Sequence, residues 1–207
     1  MSQPQLILAS GSPRRSQLLN EAGYAPRVVK PRDGAEQPGL CSGCGPAELV
    51  VELALQKLHD VIDQLKQEPA DLLLLAADTV AECQGQILGK PRDEDHARDM
   101  MASLSGREHR VYSGVCLSRL TSGQPEAPVQ RFAVTKLKMD SLTEDWIDEY
   151  AKSGKWEGKA GGFGYQDGLG FVHVTEGSES NVVGLPMEIV TELLAGYGCL
   201  PSNAQQR

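Results

Sequence analysis

The chain has 207 residues and a formal net charge of −8, with 40% apolar and 23% charged residues. That balance fits a soluble globular protein of one domain, roughly 100–200 residues being the usual size, and speaks against a polymer-binding domain with its basic stripe or high pI. No apolar run approaches the ~20 residues of a membrane span, and the opening MSQPQLILAS carries no basic leader region, so a cytoplasmic location is expected.

QLILAS (5–10) reads as a short apolar strand. A helix is predicted from Pro13 to Ala22, with Ser12 as N-cap, Leu18, Leu19 and Ala22 on one face and Gly23 as its stop. RVVKP (27–31) reads as a second strand, and the Gly/Pro-rich stretch 32–46 as a loop. From Pro46 to about Lys66, Leu49, Val50, Leu53, Leu58, Val61 and Leu65 recur at helical spacing. DLLLLAADTV (71–80) is a continuous apolar run ending at a charge, the pattern of a buried central strand with Asp78 at its carboxyl end. Gln84-Gly85 turns a hairpin into QIL. Residues 91–106 read as a helix capped by Asp93 and stopped by Gly106. Two long strands, 110–120 and 129–139, are joined by a polar loop. Thr143 caps a helix through Lys152, residues 153–170 are glycine-rich, FVHVTEG is a final strand and Pro186 opens a last helix. The predicted organisation is a single domain over 1–200 and a disordered tail over 201–207. Alternating strands and helices followed by adjacent strands predict an α/β fold with a mixed sheet.

The segment SPRR (12–15) poses a problem of charge. A helix N-terminus is already positive, so Arg14 and Arg15 stand at the wrong end unless an anion lies in front of them. Arginine grips phosphate with a bidentate fork. The plain alternative is that both point to solvent. Asp78 needs a cation or metal if it is desolvated, or bonds its own backbone as a turn residue. Lys90 and Arg92 form a second cationic patch. Lys57, by itself, reads as a snorkelling surface lysine.

The loop GKAGGFGYQDGLG (158–170) lacks the Walker A order, and its polar members include Lys159 and Gln166. Cys41, Cys44, Cys83, Cys116 and Cys199 are an odd count and read as free thiols. CSGC (41–44) has no second pair to complete a zinc site. His59, His96, His109 and His173 lack ligand spacing and read as structural or surface residues. Trp146 and Trp156 read as packing residues, with cover over a substrate as the alternative for Trp156. Together, two cation clusters, a strand carboxylate and a glycine loop suggest a polyphosphate ligand with a divalent metal, Mg²⁺ or Mn²⁺.

LASGSPRR, LAADTV, LGKPRD, LSGREHRVYSGV, GKAGGFGYQDGLG and GSESNVVGLP together resemble the Maf family of nucleoside triphosphate pyrophosphatases, in order, from residue 6 to about 195. The resemblance implies a mixed twisted sheet flanked by helices, with two lobes around a deep cleft, as in inosine triphosphate pyrophosphatases. It implies cleavage of a nucleoside triphosphate between its α and β phosphates with a divalent metal cation, by cytoplasmic proteins that often form homodimers; it is the composition that predicts neither a nucleic-acid polymer nor a membrane as partner.

By position, Asp78 matches the family's proton acceptor, and Ser12, Arg14 and Arg15 match its phosphate loop. Lys57 matches a lysine on the helix before the central strand, and Lys90 the K-P lysine. Arg14, Thr79 and Gln166 resemble the dTTP/UTP subgroup. Glu36 is the best match for the second acidic metal ligand beside Asp78, with Asp33 as rival. The competing readings are a nucleotide-binding regulator of cell division with incidental hydrolysis, or a 7-methyl-GTP pyrophosphatase.

Overall fold

The computed structural model describes residues 3–35, 45–168 and 170–202. The chain runs β1 (Gln5–Ala9), α1 (Pro13–Glu21), β2 (Arg27–Val28), α2 (Pro46–Leu65), β3 (Asp71–Cys83), β4 (Gln86–Leu88) and α3 (Glu94–Leu104). It continues with β5 (Glu108–Thr121), β6 (Gln124–Pro125), β7 (Val129–Met139), α4 (Glu144–Lys152), β8 (Val172–Glu176), α5 (Glu179–Val183) and α6 (Met187–Gly196). One sheet holds the strands in the order β2-β1-β3-β5-β7-β8, with β4 beside β3 and β6 beside β5. β1 is parallel to β2 and β3, because α1 and α2 supply the crossovers that parallel pairing needs. β5, β7 and β8 are antiparallel, so the sheet is mixed and flanked by helices, as expected.

β3 is covered on both faces. Leu73, Leu75 and Ala77 pack with Leu19 of α1 and Val190 and Leu194 of α6. Leu72, Leu74 and Ala76 pack with Ala54, Leu58 and Val61 of α2. Burial of each such leucine stabilises the fold by about 1.5–3 kcal/mol. A further cluster joins Met101 and Leu104 of α3 to Ile147 and Tyr150 of α4, Trp156 and Phe163.

Several boundaries differ from expectation. β3 does not stop near Asp78: β5 supplies a partner to every residue from Asp71 to Glu82, so Asp78 lies inside the strand, opposite Gly114. β2 is shorter than RVVKP, whose Pro31 has no N–H to extend a ladder. The third helix begins only at Glu94, where the Asp93 carboxylate accepts from His96 N at 2.8 Å. The polar loop after β5 is a tight hairpin, with Ser122 and Gly123 at φ 49° and 78° as its two-residue turn. α5 was not anticipated, since five residues are too few for a periodic signal. Trp156 is buried and donates from Nε1 to Ala151 O at 2.7 Å, so it packs in the core rather than over a ligand.

The described cysteines Cys83, Cys116 and Cys199 are free and buried. Cys41, Cys44 and residues 203–207 lie outside the described residues. No helix among the described residues is long and apolar enough to cross a membrane.

Candidate active site

On one edge β3 is paired with β5 for nearly its whole length. On the other, β1 ends at Ala9 opposite Ala76, and pairing with β4 begins at Ala81, opposite Leu88, the last residue of β4. Between those pairings β3 has an open edge from Ala77 to Val80, and a cleft of about 790 Å³ lies against it. Its walls are the β1–α1 turn, the segment leaving β2, the glycine-rich loop and the end of α5. Arg14, Arg15, Lys30, Arg32, Lys57, Lys90 and Lys159 line it, against Asp33, Asp78 and Glu157. A protein of net charge −8 therefore concentrates cations here.

Lys57 is not the surface lysine that its type suggests. It lies on the α2 stripe formed by Ala54, Leu58, Val61 and Leu65, is buried, and forms an ion pair with Asp78. Strand alternation directs Asp78 to the α2 face of β3, with Leu72, Leu74 and Ala76. Both partners are nearly buried, and the exposure that Asp78 keeps is toward the cleft. A lone buried carboxylate would be costly, and the lysine offsets that cost. α2 lies close to the sheet because residue 114 is glycine: a Cβ there would stand 2.3 Å from Val50 O.

Thr79 faces the opposite side. Its Oγ1 accepts from Arg15 Nη2 at 3.1 Å and pairs with Ser113 Oγ at 2.8 Å. Arg15 is buried and also donates from Nε to Gly184 O at 2.8 Å and from Nη1 to Ser10 Oγ at 3.2 Å. Arg15 and Arg14 thus differ in kind, although the sequence pairs them. Arg14 reaches across the cleft to Gly158 O at 3.3 Å, and its buried Nε has no partner among the described residues. An unsatisfied buried donor beside a helix N-terminus suits an anion. Ser12 occupies the N-cap position, but its side chain makes no capping bond.

Gln166 is exposed at the cleft rim in a short 3-10 turn, Tyr165–Asp167. Lys159 is paired with Asp167, and Gly161 N donates to Gly89 O at 3.0 Å, which docks the glycine loop beside Lys90. Tyr165 OH donates to Glu179 Oε1 at 2.8 Å; burial first, and then that carboxylate, push the phenol's pKa up.

Ser12, Arg14, Arg15, Lys57, Asp78, Thr79, Lys90 and Gln166 are therefore brought to one cleft. Glu36 lies outside the described residues, while its rival Asp33 lines the cleft. Lys30 and Arg32 line it too and were missed. Their signal was two cations just past a strand whose carboxyl end is where α/β sheets gather ligands.

Two other chemistries find little support. Burial pushes the Cys116 thiol up to about 12 and raises Cys83 and Cys199 as well, so none is a ready thiolate. His109 is buried on β5 with its ring edge-on to Phe163 at 5.7 Å, and burial pushes it down to about 4.

The sequence profile described as "Maf-like protein" matches residues 5–197. A dTTP/UTP pyrophosphatase of Rhodopirellula baltica is 50% identical over 193 residues, covering 93% of this chain and 82% of that one. A dTTP/UTP pyrophosphatase of Rhodopseudomonas palustris is 42% identical over 202 residues, 96% of this chain and 94% of that one. A solved nucleoside-triphosphatase / dITP/XTP pyrophosphatase from Mycobacterium abscessus is 15% identical with a TM-score of 0.41, over 94% of this chain and 95% of that one.

Proposed function

The chain belongs to the Maf family, and from that premise we propose that it hydrolyses dTTP and UTP to the nucleoside monophosphate and pyrophosphate. The observation that carries this reading is the buried Lys57–Asp78 pair on the floor of a cleft otherwise dominated by cations. The substrate class follows the relatives, which are dTTP/UTP pyrophosphatases.

In this reading Arg14, Arg15 and Lys90 hold the triphosphate, Arg14 and Lys90 from the cleft's sides and Arg15 from the wall it forms with Thr79, with the N-terminal amides of α1 adding to the positive field. Lys30, which lies beside Gly11 of the β1–α1 turn, and Arg32 add further positive charge to the cleft. Asp78 is the general base: it takes the proton from the water that attacks the α-phosphorus in line, and the bond to the β-phosphate oxygen breaks. Lys57 fixes the orientation of that carboxylate. The surrounding cations stabilise charge as it builds on the leaving pyrophosphate. Gln166, exposed and without an intramolecular hydrogen bond among the described residues, is free to read the edge of a base.

A divalent cation fits the oxygen donors present. Asp78, which lines the cleft, would hold Mg²⁺ or Mn²⁺ jointly with phosphate oxygens and a second carboxylate, Glu36 by its match to the family or its rival Asp33, which lines the cleft too. When bound, it would neutralise phosphate charge and acidify a coordinated water.

The test is pyrophosphate release from a panel of nucleoside triphosphates. Release confined to dTTP and UTP supports the reading. Activity on 7-methyl-GTP instead would keep the chemistry and overturn the base preference. No release from any nucleotide would leave a binding protein.

A further inference from the structure

Asn181 is fully buried in α5, yet it lines no part of the cleft. Its Nδ2 donates to Val111 O at 3.2 Å and to Thr135 Oγ1 at 2.9 Å. Those two acceptors fix the orientation of the amide, and Oδ1 is left without a partner among the described residues. A buried unsatisfied oxygen costs stability, so the geometry around it calls for a reason.

The hydrogen bonds lead toward the cleft. The Asn181 backbone carbonyl accepts from Ser113 Oγ at 3.3 Å, and that hydroxyl pairs with Thr79 Oγ1 at 2.8 Å. Thr79 Oγ1 in turn meets Arg15 Nη2, and Gly184 O, just past α5, accepts from Arg15 Nε. At the far end, Thr135 Oγ1 also accepts from Ser178 N at 3.2 Å and donates to Ser178 O at 3.2 Å, which ties down the start of α5. Ser113 and Thr135 are fully buried. β7, β5, β3, α1 and α5 therefore meet in one buried polar network whose last members, Thr79, Arg15 and Gly184, form a cleft wall.

We propose that Asn181 is a positioning residue: through Ser113 on one side and the α5–Gly184 segment on the other, it fixes the Arg15–Thr79 wall against which the triphosphate seats. This rests on the pyrophosphatase reading above. Thr79 and Asp78 lie on opposite faces of β3, so loosening this wall leaves the Lys57–Asp78 pair in place and acts on substrate seating more than on proton transfer.

Thr135→Val removes the hydroxyl that anchors Asn181, and Thr135→Ser keeps it. Ser113→Ala cuts the same network one step nearer the cleft and adds no bulk. Steady-state kinetics with dTTP are paired with hydrogen exchange of the Arg15 Nε–H in arginine-¹⁵N-labelled protein. The expected result is a KM raised about tenfold in T135V and S113A with kcat within about threefold, faster Arg15 Nε–H exchange in both, and recovery of both readouts in T135S.

A lowered melting temperature with KM and exchange unchanged would reduce the network to a structural one and overturn the proposal, as would faster exchange with KM unchanged. Should T135V fail to fold, S113A alone decides by the same readouts. A wild-type protein that releases no pyrophosphate would remove the function proposed above. The proposal would then be decided by exchange at Arg15, unchanged exchange in S113A overturning it.

Discussion

Lys57 on α2 and Asp78 on β3 form a buried ion pair across the helix–sheet interface, 21 residues apart in the chain. The pair joins an apolar helix stripe to the open edge of the central strand. It thereby places a charged oxygen at the floor of the cleft without leaving either charge alone in the core.

Asp78→Asn is expected to lose about 10²–10⁴-fold in turnover, the usual contribution of a positioned general base. It also breaks the buried Lys57–Asp78 ion pair, which costs about 3–5 kcal/mol. The double change Lys57→Met with Asp78→Asn recovers most of that stability and none of the activity. Thermal unfolding and pyrophosphate release, measured on the same preparations, separate the two effects. Substantial turnover by the single variant would remove Asp78 from the base role.

Gly114→Ala places a methyl within the backbone of α2 at Val50. The helix has to move outward, at about 1–3 kcal/mol of overpacking, and Lys57 moves with it. The expected outcome is a lower melting temperature and a fall in kcat larger than any rise in KM. Unchanged kcat in a destabilised protein would show that the ion pair tolerates the shift.

His109 makes stability depend on pH. Its folded-state pKa, about 4, lies below the ordinary 6.5, because burial disfavours the imidazolium. The unfolded chain therefore binds the proton more tightly. The stability held above pH 6.5 declines as pH falls and is lost by about pH 4, to a total of about 3 kcal/mol. His109→Leu is expected to flatten this slope in urea titrations across that window. A slope equal to that of the wild type would assign the acid sensitivity to other groups.

Chelation tests the oxygen donor set. EDTA is expected to abolish pyrophosphate release, and Mg²⁺ or Mn²⁺ in excess to restore it. Full activity in EDTA would show that Lys57, Lys90 and the arginines suffice to neutralise the triphosphate.

Much was legible along the chain because it was local. The strand over 129–139 is found within those bounds, since alternation and flanking polar residues act over a few neighbours. The caps at Asp93 and Thr143 accept from His96 N and Trp146 N, each three residues on. Segments of SPRR, LAADTV and GKPRD type point to a polyanion, and most of the candidate residues they name meet in one cleft.

What the sequence could determine by itself was the element order, the caps and the residue types of the site, because propensity, periodicity and motif spacing are properties of neighbours. Tertiary structure alone decided the rest. Lys57 is buried because α2 turns that face to the sheet at Gly114, and Asp78 meets it because β5 keeps β3 extended past the end of β1. Arg14 and Arg15 are adjacent and alike in type, but successive side chains on a helix point about 100° apart. One turns inward to Thr79 and Gly184 and the other outward over the cleft, a division of roles set by what each direction meets.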